Sequence, residues 1–269
     1  MNAGWIEANG ASLRYELAGN NDGALVVLVH ELGGQMESWD EVVPLLAPRF
    51  RLLRYDQRGC GLSEKVREGM TPISMASAVA DLAALLDALA IKTPVHIAGS
   101  AIGAAITLGF AARHPARTKA IAVSSPAATG KLADAARAAM AERATIIRKA
   151  GMRAVVASSL DRSYPEALRE KDRARFERYR ARWLGNDPDG FIGSNGLSGH
   201  DLTQELANIR CPALVMGCVH DGLRPPAMTK AAATMIPGAE YLEVDSGHFM
   251  ALQTPALFAE KVGAFFGRT

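Results

Sequence analysis

Apolar positions along this chain follow two rhythms. Leu25-Val26-Val27-Leu28-Val29 is an unbroken apolar run, the pattern of a strand buried on both faces. Arg51 to Tyr55, Val95 to Ala98, Ala120 to Ser124, Ala213 to Met216 and Glu240 to Val244 are further short runs of strand character. Between Ser74 and Leu89 the period changes: Met75, Val79, Leu82, Leu86 and Leu89 recur at helical spacing, so one face of a helix is apolar. Leu257 to Phe266 reads as a closing helix. Near the start, the alternating stretches Trp5-Ile6-Glu7 and Leu13 to Leu17 flank Asn9-Gly10, a hairpin signal. Strands alternating with helices predict an α/β chain with a doubly wound, mostly parallel sheet covered on both faces.

From about Ala127 to Ile209 that rhythm breaks. The stretch reads as helical, without buried-strand runs, and predicts an inserted helical lid over 127–209 on a core made of 1–126 and 210–269. Between Lys131 and Arg182 it carries eleven arginines and three lysines against seven acids. Two readings stand: solvated outer faces of surface helices, or a lid that offers one or two arginines to an anionic substrate, since a guanidinium matches a carboxylate. Arg162, Arg178 and Arg182 are the candidates, unranked, and Trp183 is expected to pack lid on core.

Composition narrows the classes. The 269 residues are 49% hydrophobic and 22% charged, with a net charge of +2, so no strong field favours nucleic acid or a membrane surface. No apolar segment approaches the ~20 residues that span a bilayer. The three cysteines, Cys60, Cys211 and Cys218, are scattered, with neither metal-ligand spacing nor a disulfide framework. The expectation is a cytoplasmic protein with no metal and no cofactor, acting on a small molecule. A homodimer stays open.

The chemistry centres on Val95 to Ala105, where an apolar run ends in Gly99-Ser100-Ala101-Ile102-Gly103 and a small-residue helix follows. In the nucleophile elbow G-x-S-x-G, a strand turns sharply into a helix and the central residue projects from the turn. Here the central residue is Ala101, which carries no nucleophile. Ser100 is one place early and is expected to point elsewhere.

Taken together, the motifs form an ordered series. The first long strand runs into His30-Glu31-Leu32-Gly33-Gly34, and Asp56-Gln57-Arg58-Gly59-Cys60-Gly61-Leu62-Ser63 follows the next. Then come the elbow, the helical stretch, Gly217-Cys218-Val219-His220-Asp221, and Gly247-His248-Phe249. This series resembles the α/β-hydrolase family over essentially the whole chain. Within it, Leu32-Gly33-Gly34 through Trp39-Asp40, Arg54 to Gly59 and Asp187-Pro188-Asp189-Gly190-Phe191 are most similar to 3-oxoadipate enol-lactonase and its relatives.

The resemblance implies a general base at His248 and a carboxylate at Asp221 that would hold it in one tautomer. It also implies an oxyanion hole from the backbone N–H groups of Leu32 and Ile102. Two positions depart from the pattern. Ala101 replaces the nucleophile, and Glu31 stands where the family has a small residue, either as a carboxylate base or as an outward, solvated side chain. Three functions follow: a serine-type hydrolase of a small carboxylated lactone, ester or amide, met here as an inactivated Ala101 form; a native enzyme without a covalent nucleophile (lyase, decarboxylase or direct water hydrolase) using His248, Asp221 and Glu31; or a non-catalytic ligand-binding relative.

Overall fold

The structure is a computed structural model that describes residues 2–67, 69–128 and 133–269. Eight strands form one sheet in the order β1-β2-β4-β3-β5-β6-β7-β8. Strands β1 (Asn2–Ala8) and β2 (Ala11–Gly19) make the expected antiparallel hairpin, with Ala8 opposite Ala11. Asn9 and Gly10 both have positive φ, 51° and 71°, which a two-residue turn matched to the strand twist requires. β2 is antiparallel to β4 (Arg51–Tyr55), and from there β3 (Leu25–Val29), β5 (Val95–Ser100), β6 (Thr118–Ser124), β7 (Ala213–Cys218) and β8 (Glu240–Val244) run parallel.

Each buried strand serves two cores. Val27 and Val29 of β3 face one side, and Val26 and Leu28 the other. The first side is covered by α2 (Met75–Ala88), α3 (Ile102–Arg113) and α10 (Pro226–Thr234). The second is covered by the short α1 (Val43–Leu46) and by α12 (Pro255–Phe266). Ala98, Ala120 and Ala122 are the small residues on that second face, beside Phe258, Phe265 and Phe266 of α12. Small side chains on the sheet make room for large ones on the helix, as close packing demands.

Between β6 and β7 the described residues are helical: α4 (Asp134–Ala150), α5 (Arg153–Ser163), α6 (Glu166–Lys171), α7 (Arg173–Leu184), α8 (Pro188–Gly196) and α9 (Thr203–Leu206). Residues 129–132, at the start of the expected insertion, lie outside the described residues. The helical segment has its own apolar cluster, built from Met152, Val155, Val156, Leu160, Tyr164, Phe176, Tyr179, Trp183 and Phe191, and that cluster includes Ala101, Phe249 and Leu252 of the sheet-bearing part. A last short helix, α11 (Met250–Gln253), follows the loop after β8. No helix among the described residues is long and apolar enough to cross a membrane.

Candidate active site

The loops that carry Glu31, the elbow, Asp221 and His248 each leave the carboxyl end of a parallel strand, where open α/β sheets bind ligands. Val29 pairs with Gly99, Ser100 with Ser124, Ser124 with Met216, and Cys218 with Val244. The loops that leave these strands therefore converge at one edge.

The elbow forms as the spacing predicts. Ala101 caps α3 with φ 53° and ψ −111° and is 2% exposed. Such a conformation costs a residue with a Cβ about 1–3 kcal/mol. Both flanking glycines are required by close approach rather than by flexibility. A Cβ on Gly99 would lie 2.4 Å from the Gly103 carbonyl oxygen, and one on Gly103 would lie 2.1 Å from that of Val29. Ser100 does point elsewhere: its Oγ accepts a hydrogen bond from Ser124 Oγ at 3.1 Å within the sheet.

His248 and Asp221 come together from two loops. The His248 Nδ1–H donates to Asp221 Oδ2 at 2.8 Å, and Asp221 Oδ1 accepts the backbone N–H groups of Leu223 and Arg224, each at 2.8 Å. Burial would raise this carboxyl. The His248 bond and charge, with the Arg224 N–H, nevertheless hold it below the usual aspartate range. His248 Nε2 has no protein partner among the described residues. The N–H of Ile102 is the first of its helix and has no intrahelical acceptor. Neither it nor the N–H of Leu32 meets a protein acceptor among the described residues.

Glu31 is not an outward, solvated side chain: it is 1% exposed. The carbonyls of Val29 and His30 press against Gly103 in the first turn of α3, so Glu31 follows directly from that contact. Its chain folds back over Gly34, where a Cβ would lie 2.3 Å from Oε1. Ser38 Oγ donates to Oε1 at 2.9 Å, and Oε2 has no hydrogen-bond partner among the described residues. Burial raises the carboxyl, and neither the Ser38 hydroxyl nor the Arg182 guanidinium overcomes it. His30 turns away: its Nε2 accepts the Gln57 N–H at 3.1 Å, so the ring proton sits on Nδ1 and donates to the Glu31 carbonyl at 2.9 Å.

The helical segment closes over these groups through α7. Trp183 lies on Gly33, where a Cβ would come within 2.5 Å of its ring. Its ring packs edge-on against Phe191 and Tyr179 at 5.1 and 6.2 Å, and tilted against Phe249 at 6.4 Å. Tyr179 is fully buried, and burial followed by the Glu31 charge pushes its hydroxyl well above the ordinary range. The Tyr179 hydroxyl and the Trp183 Nε1–H make no hydrogen bond of normal geometry.

The candidate arginines disperse. Arg178 is exposed and pairs with Glu41 at 3.4 Å, which places it at the surface. Arg162 is exposed on α5. Arg182 lies nearest the cluster, donating to the Glu37 carbonyl at 2.7 Å. Several of the segment's arginines pair with carboxylates: Arg169 with Asp161, Arg173 with Glu177, and Arg175 with Glu41. Among the described residues no His, Cys, Asp and Glu side chains are grouped to hold a metal ion.

With the elbow, the His–Asp pair and the strand order in place, comparison with known proteins is decisive. The Alpha/beta hydrolase family model matches residues 26–261. The chain belongs to the α/β-hydrolase family. A protein of Azorhizobium caulinodans, provisionally named the carbamate hydrolase RutD, is 29% identical over 261 residues, 96% of each chain. Among solved structures, the enol-lactonase from Burkholderia xenovorans LB400 superposes with a TM-score of 0.89 at 28% identity, covering 98% of this chain and 100% of its own. A hydrolase from Pseudomonas aeruginosa PA01 does so with a TM-score of 0.89 at 29% identity, covering 99% and 98%. This α/β-hydrolase is thus an enzyme of the hydrolase superfamily, with alanine at the centre of its elbow.

Two neighbours of the α/β-hydrolase site were missed in the sequence. Tyr179 carried a signal: Phe176, Tyr179 and Trp183 repeat at helical spacing within an arginine-rich helix, an aromatic stripe of which only Trp183 was singled out. Ser38 carried none, because its role depends on how the turn from Glu31 to Gly34 folds back.

Proposed function

We propose that this enzyme hydrolyses a small carbonyl compound of the ester, lactone, amide or carbamate class by direct attack of water, without a covalent intermediate. The observation that carries this reading is Glu31, buried beside the elbow with one carboxyl oxygen unpaired. An exchange of serine for alanine accounts for Ala101 but leaves a buried carboxyl one residue from the oxyanion loop unexplained. A site rebuilt around water accounts for both.

In this reading Asp221 holds the proton of His248 on Nδ1, so Nε2 is the base. Nε2 takes a proton from water as the water oxygen bonds to the substrate carbonyl carbon. The carbonyl oxygen, now an alkoxide, lies against the N–H groups of Leu32 and Ile102. When the intermediate collapses, the carbonyl re-forms, the bond to the leaving oxygen or nitrogen breaks, and Nε2 returns the proton to that atom. Burial raises the Glu31 carboxyl, which favours its protonated form over a carboxylate base. A carboxyl kept neutral in an apolar site donates a hydrogen bond to developing negative charge. Helices α4 to α8 serve as a lid that excludes bulk water. The names of the relatives, a carbamate hydrolase and an enol-lactonase, support a small substrate of this class.

The strained elbow supports a second reading, in which Ala101 stands where a serine nucleophile would act. Turnover of a panel of lactones, esters, amides and carbamates by the protein and by Ala101→Ser separates the two. Direct water attack expects turnover by the protein itself, lowered by about 10²–10⁴ in His248→Ala and unchanged or lower in Ala101→Ser. A gain of several orders of magnitude in Ala101→Ser, from an inactive parent, overturns it in favour of the serine hydrolase, since loss of one triad member costs roughly 10⁴–10⁶ in kcat.

A further inference from the structure

Gln253 on α11 is 3% exposed, although glutamine is mostly a surface residue. A buried amide needs partners, and Gln253 has one at each end. Its Oε1 accepts the backbone N–H of Phe249 at 3.1 Å. Its Nε2–H donates to the carbonyl of Ser163, 90 residues earlier in the chain, at 2.9 Å. These partners fix which end of the amide is oxygen, since one can only donate and the other only accept. Both are groups that helix ends leave over. Phe249 caps α11 and Ser163 is the last residue of α5, and the first N–H groups and last carbonyls of a helix have no partner within it.

The two partners belong to different parts of the molecule, and the loop between them carries His248. Phe249 directly follows His248. Gly247 directly precedes it, and a Cβ there would lie 2.5 Å from Gln253 Oε1 and 2.8 Å from Pro165 Cδ, at the start of α6. The backbone on both sides of His248 therefore rests on Gln253. Other hydrogen bonds of this loop stay within the sheet-bearing part: Thr254 Oγ1 donates to Ser246 Oγ at 2.8 Å, and the His220 N–H donates to the Ser246 carbonyl at 2.9 Å. The bond from His248 Nδ1–H to Asp221 weakens steeply when its angle bends, so a small shift of the loop spoils it. We propose that Gln253 is a positioning residue for His248, holding the loop in register with the end of α5 so that Nδ1 meets Asp221 while the helical segment is seated. When α5 moves away, the Ser163 carbonyl leaves the amide and the loop loses its second support. One side chain then links closure of the site to alignment of its imidazole. The catalytic consequence rests on the reading of His248 as the base, and a catalytic group misplaced by about 1 Å costs roughly 10² in rate.

The test reads the imidazole rather than turnover, so its failure is distinct from that of the hydrolase reading, which His248→Ala and Ala101→Ser decide. The intact protein is labelled with isotopic histidine, and proton–nitrogen correlation NMR above neutral pH gives the ratio of the Nδ1–H to the Nε2–H tautomer. The His248 signals are those lost in His248→Ala. In the parent the Nδ1–H tautomer is expected to prevail. Gln253→Met keeps the volume and removes both bonds, and the ratio is expected to fall about tenfold or more, the effect of weakening a hydrogen bond to a charged group. Thr254→Val removes a hydrogen bond of the same loop that does not reach α5 and is expected to leave the ratio unchanged. If the methionine variant does not fold, Gln253→Glu decides in its place. It keeps an acceptor for the Phe249 N–H but turns a second oxygen towards the Ser163 carbonyl, and a fall of about threefold or more is expected. An unchanged ratio in a folded Gln253→Met, or in Gln253→Glu where that variant decides, overturns the proposal. So does an equal fall in Thr254→Val, which would make the ratio a report of general loosening, and so does a parent in which the Nε2–H tautomer prevails.

Discussion

Helix α3 is capped by Ala101 and α7 shares an apolar cluster with that residue, yet the two helices are built in opposite ways. In α3 every residue from Ile102 to Ala111 is buried, with alanine and glycine prominent, and its place is set by backbone passing backbone at Gly99 and Gly103. In α7 only Phe176, Tyr179 and Trp183 are buried within a helix otherwise rich in arginine. Its place is set by large side chains meeting the loop at Gly33. The elbow is thus a geometric device made by backbone packing. The α7 side instead gathers partnerless polar atoms: Glu31 Oε2, Tyr179 Oη, Trp183 Nε1 and the Nε of Arg182. Buried polar atoms are nearly always paired, and under α7 the Tyr179 hydroxyl neighbours both Trp183 and Glu31, while α3 supplies the rigid floor.

The contrast can be broken most severely at the floor. Gly103→Val places a side chain against the Val29 and His30 carbonyls, and a clash with backbone exceeds the usual range of single mutations. The expected outcome is no cooperatively folded protein by circular dichroism, and a normal melt would show that the close approach is not required. Next in size is chemistry: His248→Ala is expected to lower kcat/KM by about 10²–10⁴ on any substrate the protein turns over, and an unchanged value would remove His248 from the mechanism.

On the roof, Trp183→Ala removes a ring that is 2% exposed. The cost is expected at about 3–5 kcal/mol, a fall in Tm of roughly 10 °C, with folding retained. Glu31→Gln sharpens the comparison further. A carboxyl whose folded pKa is raised contributes stability that is present below its unfolded value and is lost as pH rises through the folded one. Glutamine does not titrate. Its Tm advantage over the parent is therefore expected to grow between acid and neutral pH, and a constant or shrinking difference would contradict a neutral buried Glu31. The smallest effect belongs to the outer face of α7. Arg178→Ala breaks an exposed ion pair with Glu41 and is expected to change stability by no more than about 1 kcal/mol, which a urea melt resolves.

Local pattern determined much of this protein. The continuous apolar run placed β3 to the residue, because a strand buried on both faces needs an apolar side chain at every position; β4 and β8 matched their expected bounds too, although each carries two charged residues and β8 is mostly exposed. Asn9-Gly10 named its own turn, since only such residues accept positive φ twice in succession. The elbow was legible even with alanine at its centre, because the glycines, and not the central side chain, make the turn possible.

Which side chains meet across the chain was decided by the tertiary structure alone. Helical spacing says that one face of α7 is buried but not that Tyr179 is buried beside Glu31. The arginine count of the helical segment did not distinguish Arg178, paired with Glu41, from Arg182, which donates to the Glu37 carbonyl, because the distinction depends on which groups other elements bring within reach. Glu31 was open between solvent and interior in the sequence. Gly34 and Ser38 settled it, by letting the side chain fold back on its own loop beneath helix α7, nearly 150 residues away in the chain.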